Sequence, residues 1–164
     1  MENRQLEQIM LNINGRDIPL MVEKHWTLLY VLREILDLIG TKCGCNTGDC
    51  GACKVIIDGE AVNSCLIKAT AAVGKTITTI EGVSNGRKLH PIQEAFIECG
   101  AVQCGYCTPG MIMSAKALLD KNLNPTEEQI REAFANNLCR CTGYIKIFEA
   151  VNLAAKNIRA ERDI

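Results

Sequence analysis

The chain has no long hydrophobic run and no block of one charge sign longer than a few residues, and each absence removes a class of function. No apolar stretch approaches the roughly 18 residues that a membrane span requires. The opening over residues 1–8 is polar and mixed in charge, without the apolar centre of a secretory signal, so a soluble cytoplasmic protein is expected. Lys+Arg total 18 against 19 Asp+Glu, a formal net charge of -1, which leaves no basic stripe for nucleic acid or an anionic membrane. Glycine-rich dinucleotide and phosphate-binding patterns are also missing, and no histidine, carboxylate and nucleophile set has a local signature. The chain therefore offers no site for a substrate of its own.

Cysteine is what it has in quantity: ten in 164 residues. Eight sort by spacing into two unlike sets, Cys45, Cys50, Cys53 and Cys65, then Cys104, Cys107, Cys139 and Cys141. Without an export signal, such C-x2-C and C-x-C clusters favour metal ligation over disulfides. The first set has the plant-type ferredoxin spacing for a cluster of two irons and two sulfides. Its loop, 43–53, alternates cysteine with small residues, so backbone N–H groups can approach the sulfurs. Cys43 competes with Cys45 but gives the wrong spacing before Cys50, and is read as a bystander thiol. In the second set each ligand pair precedes an expected helix start, where backbone N–H groups favour an anionic cluster. A structural zinc is the rival for that set alone, since four thiolates also suit a tetrahedral ion.

Around these sets the pattern predicts two halves. Apolar runs over 9–13 and 18–22 flank Asn14-Gly15, a hairpin signal, and residues 55–57 and 61–62 flank Asp58-Gly59. Residues 27–39 carry apolar positions at helical spacing with Gly40 placed to end the helix, and 76–80 reads as a further strand. Residues 81–89 look like a linker. Four helices are expected after it, over 91–99, 109–121, 127–138 and 144–159, with Thr126 and Gln129 spaced as a capping box. Cys99, Trp26, Tyr30, Met111 and Met113 are assigned to packing, His25 and His90 to surface or capping roles, and the scattered Lys and Arg to a solvated surface. Two redox centres without a substrate site read as a wire, with donor and acceptor on other polypeptides.

The segments 45–53, 100–111 and 137–144 closely resemble the iron-sulfur subunit of the xanthine oxidase family of molybdenum hydroxylases, over roughly residues 8–158. The resemblance implies an α+β fold, with a plant-type ferredoxin-like (β-grasp) domain over 1–82 followed by a four-helix 2Fe-2S domain over 83–164. It implies a molybdopterin cofactor in a large subunit next to the second cluster and FAD on a subunit facing the first. It also implies that Gln103 touches the pterin, that Cys141 is the ligand nearest to it, and that the assembly is a dimer of heterotrimers. Lys54 departs from the family pattern, in which threonine is commoner. The implied reaction is hydroxylation of an N-heterocycle such as a purine or nicotinate. Aldehydes, carbon monoxide and aromatic acyl-CoA thioesters stay open because the selecting pocket is on another chain. A free ferredoxin-like carrier and a zinc-stabilised interaction protein are the rival classes.

Overall fold

A computed structural model describes residues 5–162. Strands β1 (Leu6–Ile13) and β2 (Arg16–Glu23) pair antiparallel around Asn14 and Gly15, whose φ values of 51° and 76° are those of a primed hairpin turn. Asp58 and Gly59 repeat the device, at 50° and 86°, between β3 (Lys54–Ile57) and β4 (Glu60–Asn63). With β5 (Thr76–Thr78) they form one mixed sheet of order β2-β1-β5-β3-β4, in which only β1 and β5 run parallel. Alternate residues Ile9, Leu11 and Ile13 turn inward with Val55, Ile57 and Ile77 to make the sheet core.

Leu28 and Leu32 close that core from α1 (Leu28–Tyr30) and the π-helical turn Val31–Ile35 that prolongs it. The helix ends before residue 39. Asp37 takes a left-handed φ of 55°, and the Arg33 guanidinium draws the chain back by donating to the carbonyls of Ile39 and Thr41 at 3.0 and 2.8 Å. Gly40 serves close approach instead, because a Cβ there would lie 2.4 Å from Ile80 Cγ2. The strand expected over 76–80 stops at Thr78, giving way to a 3-10 turn, Ile80–Gly82. The segment 81–89 is anchored rather than loose: Glu81 accepts the Gly40 N–H at 2.8 Å, and Val83 is buried among the helices.

Helices α2 (Pro91–Glu98), α3 (Thr108–Lys121), α4 (Glu127–Ala133) and α5 (Ile145–Arg162) enclose a second core of Phe96, Met111, Met113, Ile130, Ile147 and their neighbours. His90 starts α2, its Nδ1 accepting the Ile92 N–H at 3.2 Å, and Thr126 with Gln129 forms the expected capping box on α4. Expected to reach residue 138, α4 closes at Phe134, and Leu138 is turned outward, 58% exposed. Strand β3 divides the two cores: Val55 and Ile57 enter the sheet core and Ile56 the helical one. Lys54 shares the face of Ile56 and is buried, which corrects its assignment to a solvated surface. The halves meet closely where α3 lies on the cysteine loop, since a Cβ on Gly110 would stand 2.2 Å from the Gly51 carbonyl oxygen. Among the described residues no helix is long and apolar enough to cross a membrane.

Candidate metal centres

In the sheet half, Cys45 and Cys50 stand on the loop before β3, Cys53 at its end, and Cys65 on the 3-10 turn Ser64–Leu66 that follows β4. The Cys53 carbonyl accepts both the Ser64 N–H at 3.3 Å and the Ser64 hydroxyl at 2.7 Å, which fastens Cys65 opposite Cys53. The four thiols sort two by two. Cys45 interacts with Cys50, and Cys53 with Cys65. The Thr47 N–H points at Cys45 Sγ at 3.4 Å, and hydrogen bonds from Thr47, then from Cys50, lower the Cys45 thiol to about 6. Burial, then the neighbouring Cys53 thiol, pushes Cys65 up to about 12. Gly44 leaves room for the sulfur, because a Cβ there would lie 2.7 Å from Cys50 Sγ. Cys43 faces solvent, donating to Asn46 Oδ1 at 3.2 Å, and among the described residues none of its contacts joins it to the four.

The second set comes from two loops. Cys104 precedes α3 and Cys107 is its N-cap residue, while Cys139 and Cys141 precede α5. They too are paired, Cys104 with Cys141 at 3.6 Å between sulfurs and Cys107 with Cys139. Burial, then the Cys139 thiol, raises Cys107 to about 12. Burial pushes Cys139 up as well, but the Thr142 hydroxyl and N–H, at 3.0 and 3.4 Å from its sulfur, outweigh that and leave it lowered. These donors belong to the loop and not to the first turn of α5, where they were expected. Gly143 and Tyr144, with φ of 64° and 69°, reverse the chain between the thiols and the helix. Gln103 is exposed, and among the described residues its side chain has no hydrogen-bond partner.

Three residues that hold the site were not singled out by sequence reasoning. Asn137, 2% exposed, accepts from the Ser114 hydroxyl at 2.8 Å and donates to the Gly51 carbonyl at 3.3 Å. Tyr144, taken as a helix start, accepts the Cys139 N–H at 2.9 Å through its hydroxyl, which donates in turn to the Asn137 carbonyl at 3.3 Å. The Leu138 N–H donates to the Cys50 carbonyl at 2.9 Å, which is why the chain leaves α4 early. No spacing rule signals these bonds: those of Asn137 and Leu138 join segments far apart in sequence, and those of Tyr144 close a short loop through a side-chain hydroxyl. One backbone hydrogen bond thus connects the residue before Cys139 to Cys50.

Among the described residues no three His, Cys, Asp or Glu side chains gather as a site for a single ion. Thiols standing two by two do not make the convergent tetrahedron of a structural zinc. They suit a core of two irons bridged by sulfide, where each iron takes two thiolates. The N–H donors on Cys45 and Cys139 and the space beside Cys50 fit the same group.

Residues 11–78 match the 2Fe-2S iron-sulfur cluster binding domain family, and residues 79–152 match a second 2Fe-2S binding domain family. The nicotinate dehydrogenase small FeS subunit of Eubacterium barkeri is 52% identical, over 90% of this chain and 94% of its own. The aldehyde oxidoreductase of Megalodesulfovibrio gigas is 46% identical over 94% of this chain, which corresponds to 17% of that longer polypeptide. A crystal structure of quinoline 2-oxidoreductase from Pseudomonas putida 86 superposes with a TM-score of 0.91 at 42% identity, covering 95% of this chain and 98% of the other. With two 2Fe-2S binding domains in the same order as these relatives and paired thiols in each, the chain belongs to the small iron-sulfur subunits of the molybdenum hydroxylase family.

Proposed function

We propose that this chain carries electrons from a molybdopterin site on a large partner subunit to FAD on another, during hydroxylation of an N-heterocycle such as a purine or nicotinate. Cys104, Cys107, Cys139 and Cys141 hold the cluster at the molybdopterin end, and Cys45, Cys50, Cys53 and Cys65 the cluster at the flavin end. Each two-iron cluster, when bound, takes up and releases one electron at a time. The observation that carries this reading is the Leu138 N–H bond to the Cys50 carbonyl. From Cys139 Sγ to Cys50 Sγ the chain offers covalent bonds interrupted by that one hydrogen bond. Cys104 and Cys141 are the exposed thiols of the second set, and with the exposed Gln103 they form the edge that meets the pterin.

The domains divide between 82 and 83, since Ile77 belongs to the sheet core and Val83 to the helical one. The N-heterocycle rests on the names of two relatives, a nicotinate dehydrogenase and a quinoline oxidoreductase. Eight cysteines held as cluster ligands fit the reducing cytoplasm, where thiols stay reduced and disulfides are rare. The full assembly is a dimer of heterotrimers, which the native mass of the purified complex tests.

Iron analysis with low-temperature EPR of the dithionite-reduced complex tests the centres. About four irons per chain and two distinct signals are expected from two such clusters. Two irons, or one signal, would reject the assignment. Reduction of the clusters by nicotinate or a purine, and not by aldehydes, tests the substrate class.

A further inference from the structure

The Thr142 hydroxyl stands between a thiol of the second set and the turn that follows it. It donates to Cys139 Sγ at 3.0 Å, while its oxygen accepts the Tyr144 N–H at 3.2 Å. A hydroxyl carries one proton, and with the Tyr144 N–H on the acceptor side that proton is turned to the sulfur. The chain is bent to make this arrangement. Gly143 and Tyr144 both take a left-handed φ, 64° and 69°, which is unfavourable for an aromatic residue but brings the Tyr144 N–H back onto Thr142. Such strain persists only where the surroundings hold it. Here the Tyr144 hydroxyl does so, accepting the Cys139 N–H at 2.9 Å and donating to the Asn137 carbonyl at 3.3 Å. One residue therefore fixes the backbone of Cys139 directly and its sulfur through Thr142. Thr142 and Cys139 are both half-buried, whereas Cys104 and Cys141 form the exposed edge.

A hydrogen bond to a thiolate sulfur favours the state with more negative charge, and a 2Fe-2S cluster gains one such charge on reduction. We propose that Thr142 is a positioning residue for electron entry: its hydroxyl, aimed by the Tyr144 N–H, raises the potential of the helical-domain cluster and so favours uptake of the electron from the molybdopterin side. One electron enters the cluster, no bond is made or broken, and Thr142 keeps its proton. This role rests on the proposed assignment of Cys139 as a cluster ligand.

The test is redox potentiometry of the intact complex, followed by EPR so that the two signals titrate separately. Thr142→Val and Thr142→Ala remove the hydroxyl, and Thr142→Ser keeps it. All three retain the N–H of residue 142, 3.4 Å from the same sulfur, so the hydroxyl alone is varied. In Thr142→Val and Thr142→Ala the helical-domain cluster is expected to become harder to reduce by about three- to tenfold in equilibrium constant, the worth of one net hydrogen bond. At about 59 mV per tenfold for one electron, that is about 30–60 mV. The ferredoxin-like cluster keeps its potential, and Thr142→Ser stays near the wild type. Unchanged potentials, equal shifts of both clusters, or a Thr142→Ser shift as large as that of Thr142→Val would overturn the proposal. Loss of the second signal in both Thr142→Val and Thr142→Ala would overturn it too, because the hydroxyl would then hold the cluster instead of tuning it. If only one of Val and Ala keeps that signal, that variant against Thr142→Ser decides. Failure of the ligand assignment is distinguishable, because it would show in the wild type as a missing EPR signal.

Discussion

The two proposed centres take four thiols each and gather them in opposite ways. Three of the proposed ligands of the first lie within nine consecutive residues, and the fourth is returned by a hairpin, so nearly all its geometry is local. The second joins a pair before α3 to a pair before α5 and exists only because the helices pack. Exposure differs too. Cys53 and Cys65 are buried at 2% and 7%, whereas Cys104 and Cys141 face solvent. The first site is therefore sealed on its protein side, and the second presents an open edge, with exposed Val102, Tyr106 and Leu138 beside it. Apolar exposure next to a redox centre is what a docked partner would cover.

Ligand removal breaks the comparison most sharply. Cys65→Ser should cost the first EPR signal and about half the iron, and Cys104→Ser the second signal and the other half. Cys43→Ser should leave iron content unchanged. Iron loss on Cys43→Ser would place the first ligand two residues early.

That local site was the more legible one. The spacing of Cys45, Cys50 and Cys53 and the Asp58-Gly59 turn point to a closed ring of thiols without any knowledge of the fold, and the hairpin at Asn14-Gly15 and the capping box at Thr126 are equally local signals. Gaps in the sequence reading occur where one segment answers another. Apolar spacing carried α1 to residue 39, but Arg33 ties the carbonyls of Ile39 and Thr41 into a turn. It carried α4 to Leu138, but Cys50 takes the Leu138 N–H. Lys54 reads as surface until α3 is seen to cover β3. For the second centre the cysteines were legible, whereas Asn137 and Tyr144, which hold the loop, were not.

The join between the halves can be tested next. Gly51 has φ +68°, and a Cβ there would lie 2.1 Å from the Asn136 carbonyl oxygen, a backbone atom that cannot swing aside. Gly51→Ala should destabilise by about 3 kcal/mol or more, from overpacking and left-handed strain together. Gly59→Ala, at φ +86° with nothing within 4 Å, should cost only about 1 kcal/mol. Denaturant midpoints of the holo chain measure both, and equal losses would show that the join contributes nothing special. Asn137→Ala comes next, at about 1–3 kcal/mol, because it strips partners from the buried Ser114 hydroxyl and the Gly51 carbonyl. Its EPR signature should be a disturbed second signal with the first intact, if the centres differ in their dependence on packing.

The smallest effect lies away from both centres and sets a baseline for the helical half. His90 Nδ1 must be unprotonated to accept the Ile92 N–H and cap α2. Burial, then the Lys116 ammonium, lowers the His90 pKa, against the opposing pull of Asp120, Glu161 and Glu94. With the folded value below the ordinary 6.5, the unfolded chain binds the proton first. Stability is therefore full above about pH 6.5 and falls as pH drops below it, until the folded imidazole is itself protonated. The loss should be about 1 kcal/mol, the usual worth of an N-cap. His90→Asn keeps a capping oxygen and removes the titration, so the difference between the two proteins' denaturant midpoints should grow between pH 7 and 5. Parallel curves would show that the imidazole is not coupled to the helix. A growing difference with both EPR signals unchanged would show that α2 can weaken without loosening the second centre, whose thiols hang from α3 and α5.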